Sequence, residues 1–195
     1  DTLEEDTPNY FLFNIQEYDI DNISEYLQRE AALNLEFTPL IRGRLLSAKR
    51  SNSNQLSSEN FMEREANLTW SEPLPKSNSI SKGKWWSKQD TKPEVSVDRE
   101  VAESMNLNIG DELLFSAGGS NFSATVTSFR EIEWESFSPN FFFILSPSLG
   151  KTLPNSYITS IKIPSDMNIM NKFTQQFPTI SSVDLGAIIL QIRNT

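Results

Sequence analysis

The sequence predicts an α+β fold, a ferredoxin-like split β-α-β unit interrupted by an inserted mostly-β subdomain. Three observations lead there. The first fifty of the 195 residues carry a strand–helix–strand pattern, Tyr10–Ile15, Ile20–Ala31 and Phe37–Ala48. The last forty repeat it, with strands over 156–163 and 179–185 around a helix from Asp166 to Phe177. Between them, 65–150 reads as short strands and turns around one short helix. On element order, 1–60 and 151–195 form one α/β subdomain in two halves, and 61–150 is the insert.

Each element has a local reason. "YFLFNI" (10–15) is aromatic and β-branched and follows Pro8-Asn9, as a buried strand would. Ile20, Ile23, Tyr26, Leu27 and Ala31 recur at helical spacing, with Asp19 or Asp21 as cap. "EFTPLIRGRLLSAK" (36–49) predicts a long strand bent at Pro39 and Gly43. "SNSNQLSS" (51–58) is a polar loop, Phe61–Ala66 a short helix and "NLTWS" (67–71) a strand. Residues 72–90, punctuated by Pro73, Pro75 and Gly83, read as an irregular loop packed by aromatics.

"EVSVDREVAESMNLNIGDELLF" (94–115) predicts strand, short helix, Gly-Asp corner and strand. Gly110 allows a sharp turn, Asp111 completes it, and Met105, Leu107 and Ile109 plug the core. Gly118-Gly119 supply positive φ for a hairpin over 115–129, with Phe122, Ala124 and Val126 on one face. Strands flank Ser138-Pro139, Pro178 ends the last helix, and "VDLGAIILQIR" (183–193) opens another, capped by Asp184.

Composition narrows function. A hydrophobic share of 37% with thirteen Phe and four Trp supports a packed core. The net charge of −9 disfavours nucleic acid as a partner, since phosphate recognition needs clustered Lys and Arg. With no Cys and no His, Cys nucleophiles, Ser-His-Asp triads and the usual zinc sites are excluded. No segment reaches the roughly 20 apolar residues of a membrane helix. The N-terminal "DTLEED" is not a signal peptide, and the chain reads as a piece of something longer.

The segment 94–115 resembles the strand–helix–Gly-Asp–strand stretch of the extracytoplasmic domains of FtsX/MacB-like ABC transporter permeases. Further stretches, in order, are similar to the YbbP-like branch: "PNYFLFNI" (8–15), "IRGRL" (41–45), "REANLTWSEPLP" (64–75), "GKWW" (83–86), "VTSFREIEWESFSPNFFFIL" (126–145), "YITSIKIP" (157–164) and "QFPTISSVDLGAIILQIR" (176–193). Glu133 and Glu135 stand where that branch is expected to carry Asp. The resemblance implies a MacB-like periplasmic domain of a bacterial inner-membrane protein, with a porter-like unit and an inserted β-rich unit. It implies no catalysis and no cofactor in this domain. ATP would be hydrolysed on a separate cytoplasmic ATP-binding subunit, and the domain would transmit that motion to lipids, lipoproteins or other hydrophobic cargo. A periplasmic partner protein or an esterase would act beside it.

Candidate contact residues are aromatic. Trp85, Trp86, Trp134, Phe137 and Phe141, with Phe142 and Phe143, are either core or a face for acyl chains or a partner. Adjacent residues such as Trp85-Trp86 cannot both point inward from a strand, so one is the surface candidate. Glu131, Glu133 and Glu135 alternate; they are a solvated strand face or, on a sharper reading, carboxylates for hydrolysis or Ca²⁺. Arg42, Arg44, Lys49 and Arg50 are the densest basic run, surface charge or a lipid-headgroup contact. The competing classes are a stand-alone extracytoplasmic lipid- or carbohydrate-binding module and a carboxylate hydrolase. No catalytic or metal-ligating residue is assigned.

Overall fold

The computed structural model describes residues 7–51, 64–134, 138–164 and 168–185. The fold is α+β, with ten strands and a few short helices among the described residues. It divides into two compact units. One holds Asp1–Pro39, Glu135–Pro139 and Ser156–Thr195; the other holds Leu40–Trp134 and Asn140–Asn155.

In the unit built from the chain ends, β1 (Tyr10–Ile15) lies between β10 (Ser181–Asp184) and β9 (Ser156–Ile161), antiparallel to both. The residues leading into β2 (Thr38–Lys49) follow beside β9, where Thr159 Oγ1 donates to the Glu36 carbonyl at 2.8 Å. Leu12 and Ile15 are both buried, although three residues apart. Strict alternation forbids that. The register shifts between them, where Asn14 takes φ 59°, so both side chains reach the core.

Helix α1 (Ile20–Ala31) buries Ile23, Tyr26 and Leu27, the face its spacing predicts. Asp19 sits at the cap position, but its carboxylate accepts from the Gln16 N–H at 3.2 Å, closing the preceding 3-10 turn Glu17–Asp19. The helix ends at Ala32 in the left-handed conformation, φ 52°. Helix α4 (Ile169–Gln176) buries Ile169 and Phe173. Tyr26, Phe173 and Phe177 form an aromatic knot, with ring centroids 4.9–6.0 Å apart. Ser165 and Asp166, where the sequence opens this helix, lie outside the described residues.

The second unit is a closed ring of strands. β2 pairs with β3 (Arg64–Trp70), and β3 with β8 (Phe143–Leu145). β8 then pairs with β5 (Glu94–Asp98), and β5 with β7 (Ser120–Ile132). β7 pairs with β6 (Glu112–Ala117), and β6 returns to β2. Closure leaves these six strands no free edge along the ring. Leu45, Leu68, Val97, Leu113, Phe115 and Phe143 fill the interior. Where β2 and β6 meet, a Cβ on Gly43 would lie 2.7 Å from the Ser116 carbonyl oxygen, so the bend predicted at Gly43 needs a bare backbone. Helices α2 (Arg99–Ser104) and α3 (Pro147–Gly150) are short.

Two sequence expectations fail here. Arg64–Ala66 belongs to strand β3, not to a short helix, because Ala66 and Leu68 alternate into the barrel core; residues 61–63 lie outside the described residues. Within the predicted loop 72–90, Asn78–Gly83 forms a strand, β4, antiparallel to the far half of β7. It is largely exposed and lacks apolar alternation, so only its backbone pairing reveals it. The helix predicted over 183–193 lies almost wholly outside the described residues; Val183 and Asp184 end β10.

Candidate functional site

The Gly-Asp corner is built as a backbone anchor. Asp98 caps α2 by accepting from the Val101 N–H at 3.0 Å. Asn106 (φ 53°) and Gly110 (φ 98°) then turn the chain through left-handed backbone. Asp111 is buried, and its carboxylate accepts from the N–H groups of Asn108 (2.8 Å) and Ser51 (3.0 Å) and from Arg50 Nη1 (3.2 Å). Arg50 also donates to the carbonyls of Met105 and Asn106. Leu107 is buried, and Met105 and Ile109 pack against the same core. Arg50 therefore serves this corner, which its place in a basic run did not reveal.

Trp85 and Trp86 do not sit on a strand. They stack at 4.0 Å just after β4, and each donates its indole N–H to a backbone carbonyl at 2.9 Å, Trp85 to Glu72 and Trp86 to Ser71. Trp86 is buried and Trp85 partly so. The pair bolts the Pro-rich segment after β3 onto the barrel. Phe141 is buried as well. Phe137 lies outside the described residues.

Trp134 is different. It is 49% exposed and meets Phe142, 45% exposed, edge to face at 5.4 Å. Beneath this pair lies Arg130, whose side chain is fully buried. Its Nε donates to Ser96 Oγ (2.9 Å), and its Nη2 to the carbonyls of Phe141 (2.9 Å) and Phe142 (3.0 Å). Asn78 Oδ1 accepts from Nη1. Burial pulls the guanidinium pKa down to about 10, and the neighbouring Asp98 opposes that shift. It stays charged at neutral pH. Sequence reasoning missed Arg130, although a signal existed: it is in phase with Ala124 and Val126 on the inward face of β7.

Among the described residues, the acidic side chains do not converge. Glu131 and Glu133 are exposed, Glu131 bonds Arg99 Nε, and Arg99 Nη1 also pairs with Glu103 at 3.0 Å. Glu135 lies outside the described residues. Among the described residues, no group of three or more His, Cys, Asp or Glu is placed to hold a metal ion. Arg42 is exposed on β2. In the unit of the chain ends, Asn22, Glu25, Tyr26, Arg29, Gln176 and Phe177 line a shallow groove. Among the described residues, no helix is long and apolar enough to cross a membrane.

No protein-family model matches the chain. Over 192 residues, 97% of the chain, it is 34% identical to YbbP of Escherichia coli K12, described as an uncharacterized ABC transporter permease. The chain is a homologue of a segment of the YbbP permease. It spans 23% of that relative's length. That likeness agrees with the resemblance read from the ordered motifs. A solved domain assigned to a permease protein of Porphyromonas gingivalis superposes with a TM-score of 0.41 and 8% identity, covering 93% of this chain and 89% of the other. A score that low leaves the fold to be argued from the strand pairings above.

Proposed function

We propose that the chain is the periplasmic domain of a bacterial inner-membrane ABC transporter permease, and that it transmits motion driven by ATP hydrolysis on a separate cytoplasmic subunit. The observation that carries this reading is the identity with YbbP along nearly the whole chain. In it, the unit of the chain ends is a ferredoxin-like porter-type subdomain, and the ring of strands is the insert. The strand order β10-β1-β9, with β2 next, supports that description, because split β-α-β units place their last strand beside the first. On this reading the membrane helices belong to the rest of the permease, since the chain spans 23% of YbbP.

The cargo class we propose is lipid, lipoprotein or another hydrophobic compound, handled with a periplasmic partner or an esterase. Trp134 with Phe142 is the contact face for cargo or for a partner; Trp85, Trp86 and Phe141, and from sequence Phe137, are the other candidates. Gly110 and Asp111 are scaffold.

The test uses the absence of Cys. In the full-length permease, assembled with its ATP-binding subunit and freed of other cysteines, spin labels go on Glu25→Cys in α1 and Glu112→Cys in β6, both exposed. The distance distribution between the labels should shift between the nucleotide-free and ATP-trapped states. An unchanged distribution overturns force transmission by this domain.

A further inference from the structure

We infer that the Trp134–Phe142 pair is a protein-docking hot spot, and that its partner offers an apolar pocket rimmed by Lys or Arg. The inference rests on the contact-face reading above and names the occupant. Trp134 and Phe142 are, with Tyr18, the large hydrophobic side chains most exposed among the described residues, and they touch each other. An exposed Trp packed against a second aromatic is the kind of anchor on which binding energy concentrates.

The pair is fixed before any partner arrives. The Phe142 carbonyl accepts from Arg130 Nη2 and, at 2.8 Å, from the Asp98 N–H. The Phe141 carbonyl accepts from the same Nη2. On the other side, the Glu133 N–H donates to the Ser77 carbonyl at 2.8 Å, which holds the backbone just before Trp134. A buried cation thus clamps one flank and a backbone bond the other. Little ordering cost is left to be met on binding.

Charge selects the partner. Glu133, next to Trp134 in the chain, is exposed and has no ion pair among the described residues. Glu131 and Glu103 outnumber the Arg99 they share. Lys76, beside Ser77, is the nearby cation in sequence, and the chain as a whole carries −9. An anionic bilayer surface is repelled by such a rim, whereas a basic rim on a protein is attracted.

The experiment places a photo-cross-linking phenylalanine analogue, p-benzoylphenylalanine, at Phe142 of the full-length permease in intact cells. Adducts are then analysed by mass spectrometry. The expected result is one protein adduct whose yield falls by about tenfold or more with Glu133→Lys. Glu25→Lys on α1 should leave it unchanged. Reversing a Lys or Arg at the mapped contact to Glu should restore the yield in the Glu133→Lys background. Glu133 is exposed, so this variant folds; an unchanged Trp emission spectrum checks it. A lipid adduct, an adduct to a second copy of the chain, no adduct, or a protein adduct indifferent to Glu133→Lys each overturns the proposal. The spin-label distances are measured in the Glu133→Lys background. If they still shift with ATP while the cross-link fails, the permease reading stands and the docking inference falls.

Discussion

The unit of the chain ends buries apolar and aromatic side chains, with Thr159 as its one fully buried polar residue among those described. The barrel unit also buries Thr69, Ser96, Asp98, Asp111, Ser128, Arg130 and Ser146. The two are therefore held in different ways. In the first, the Tyr26–Phe173–Phe177 knot and the aliphatic side chains around it are non-directional, and apolar swaps of similar volume should be tolerated. In the second, the Ser128–Ser96–Arg130 chain of hydrogen bonds ties β7 to β5 and to the carbonyls before β8. Directional bonds of this kind specify register, and a half-satisfied network is worse than an apolar core. A barrel whose strands are paired in parallel and antiparallel fashion has many competing registers, so the polar interior has something to specify.

The aromatic residues give each unit its own reporter. All four Trp lie in the barrel unit and all four Tyr in the other. Trp emission and Tyr absorbance therefore follow the two units separately during unfolding.

The largest effect is expected from Arg130→Met. It leaves Asp98 without its neighbouring cation and removes the donor to the Phe141 and Phe142 carbonyls. The Trp-detected unfolding free energy should drop by about 3–5 kcal/mol, while the Tyr-detected transition holds. A loss below about 1 kcal/mol would mean that the buried network does not hold the barrel.

Gly110→Val comes next. The nearest atom to a new Cβ is Ser51 Cβ at 3.4 Å, so space is adequate and the cost is that of left-handed backbone at φ 98°. The barrel should lose about 1–2 kcal/mol, read by Trp emission in urea. A midpoint that does not move refutes the corner as a strained turn.

Ala32→Gly should give the smallest effect, with the opposite sign and in the other unit. Ala32 holds φ 52° at the end of α1, its N–H bonded to the Gln28 carbonyl at 3.0 Å. Glycine adopts that conformation without the Cβ penalty. The Tyr-detected transition should gain about 0.5–1 kcal/mol. A loss would show that the cap is not strained, which would make apolar packing alone the measure of that unit.

Much of the secondary structure was legible because its signals are local. Tyr10–Ile15, Ile20–Ala31 and the hairpin at Gly118-Gly119 each carry a local pattern that the chain obeys. The hidden strand β4 was not legible, since an edge strand of Asn, Ser, Ile, Ser, Lys and Gly faces water and has no apolar face to alternate. Among the candidate contacts, the sequence could place aromatics near one another but could not sort them. Burial put Trp86 and Phe141 inside and left Trp134 and Phe142 outside.

The sequence by itself determined elements such as Tyr10–Ile15 and Ile20–Ala31, the positive φ at Gly110, Gly118 and Gly119, and what chemistry an acidic chain without Cys or His can undertake. Those properties depend on neighbours a few residues away, through side-chain period and backbone sterics. Only the tertiary structure decided that β6 returns to β2 to close the ring, and that Arg130 rather than a surface cation lies under the exposed aromatic pair. Strand partners far apart in sequence are chosen by the total burial and hydrogen bonding they achieve together, and no short window of residues contains that sum.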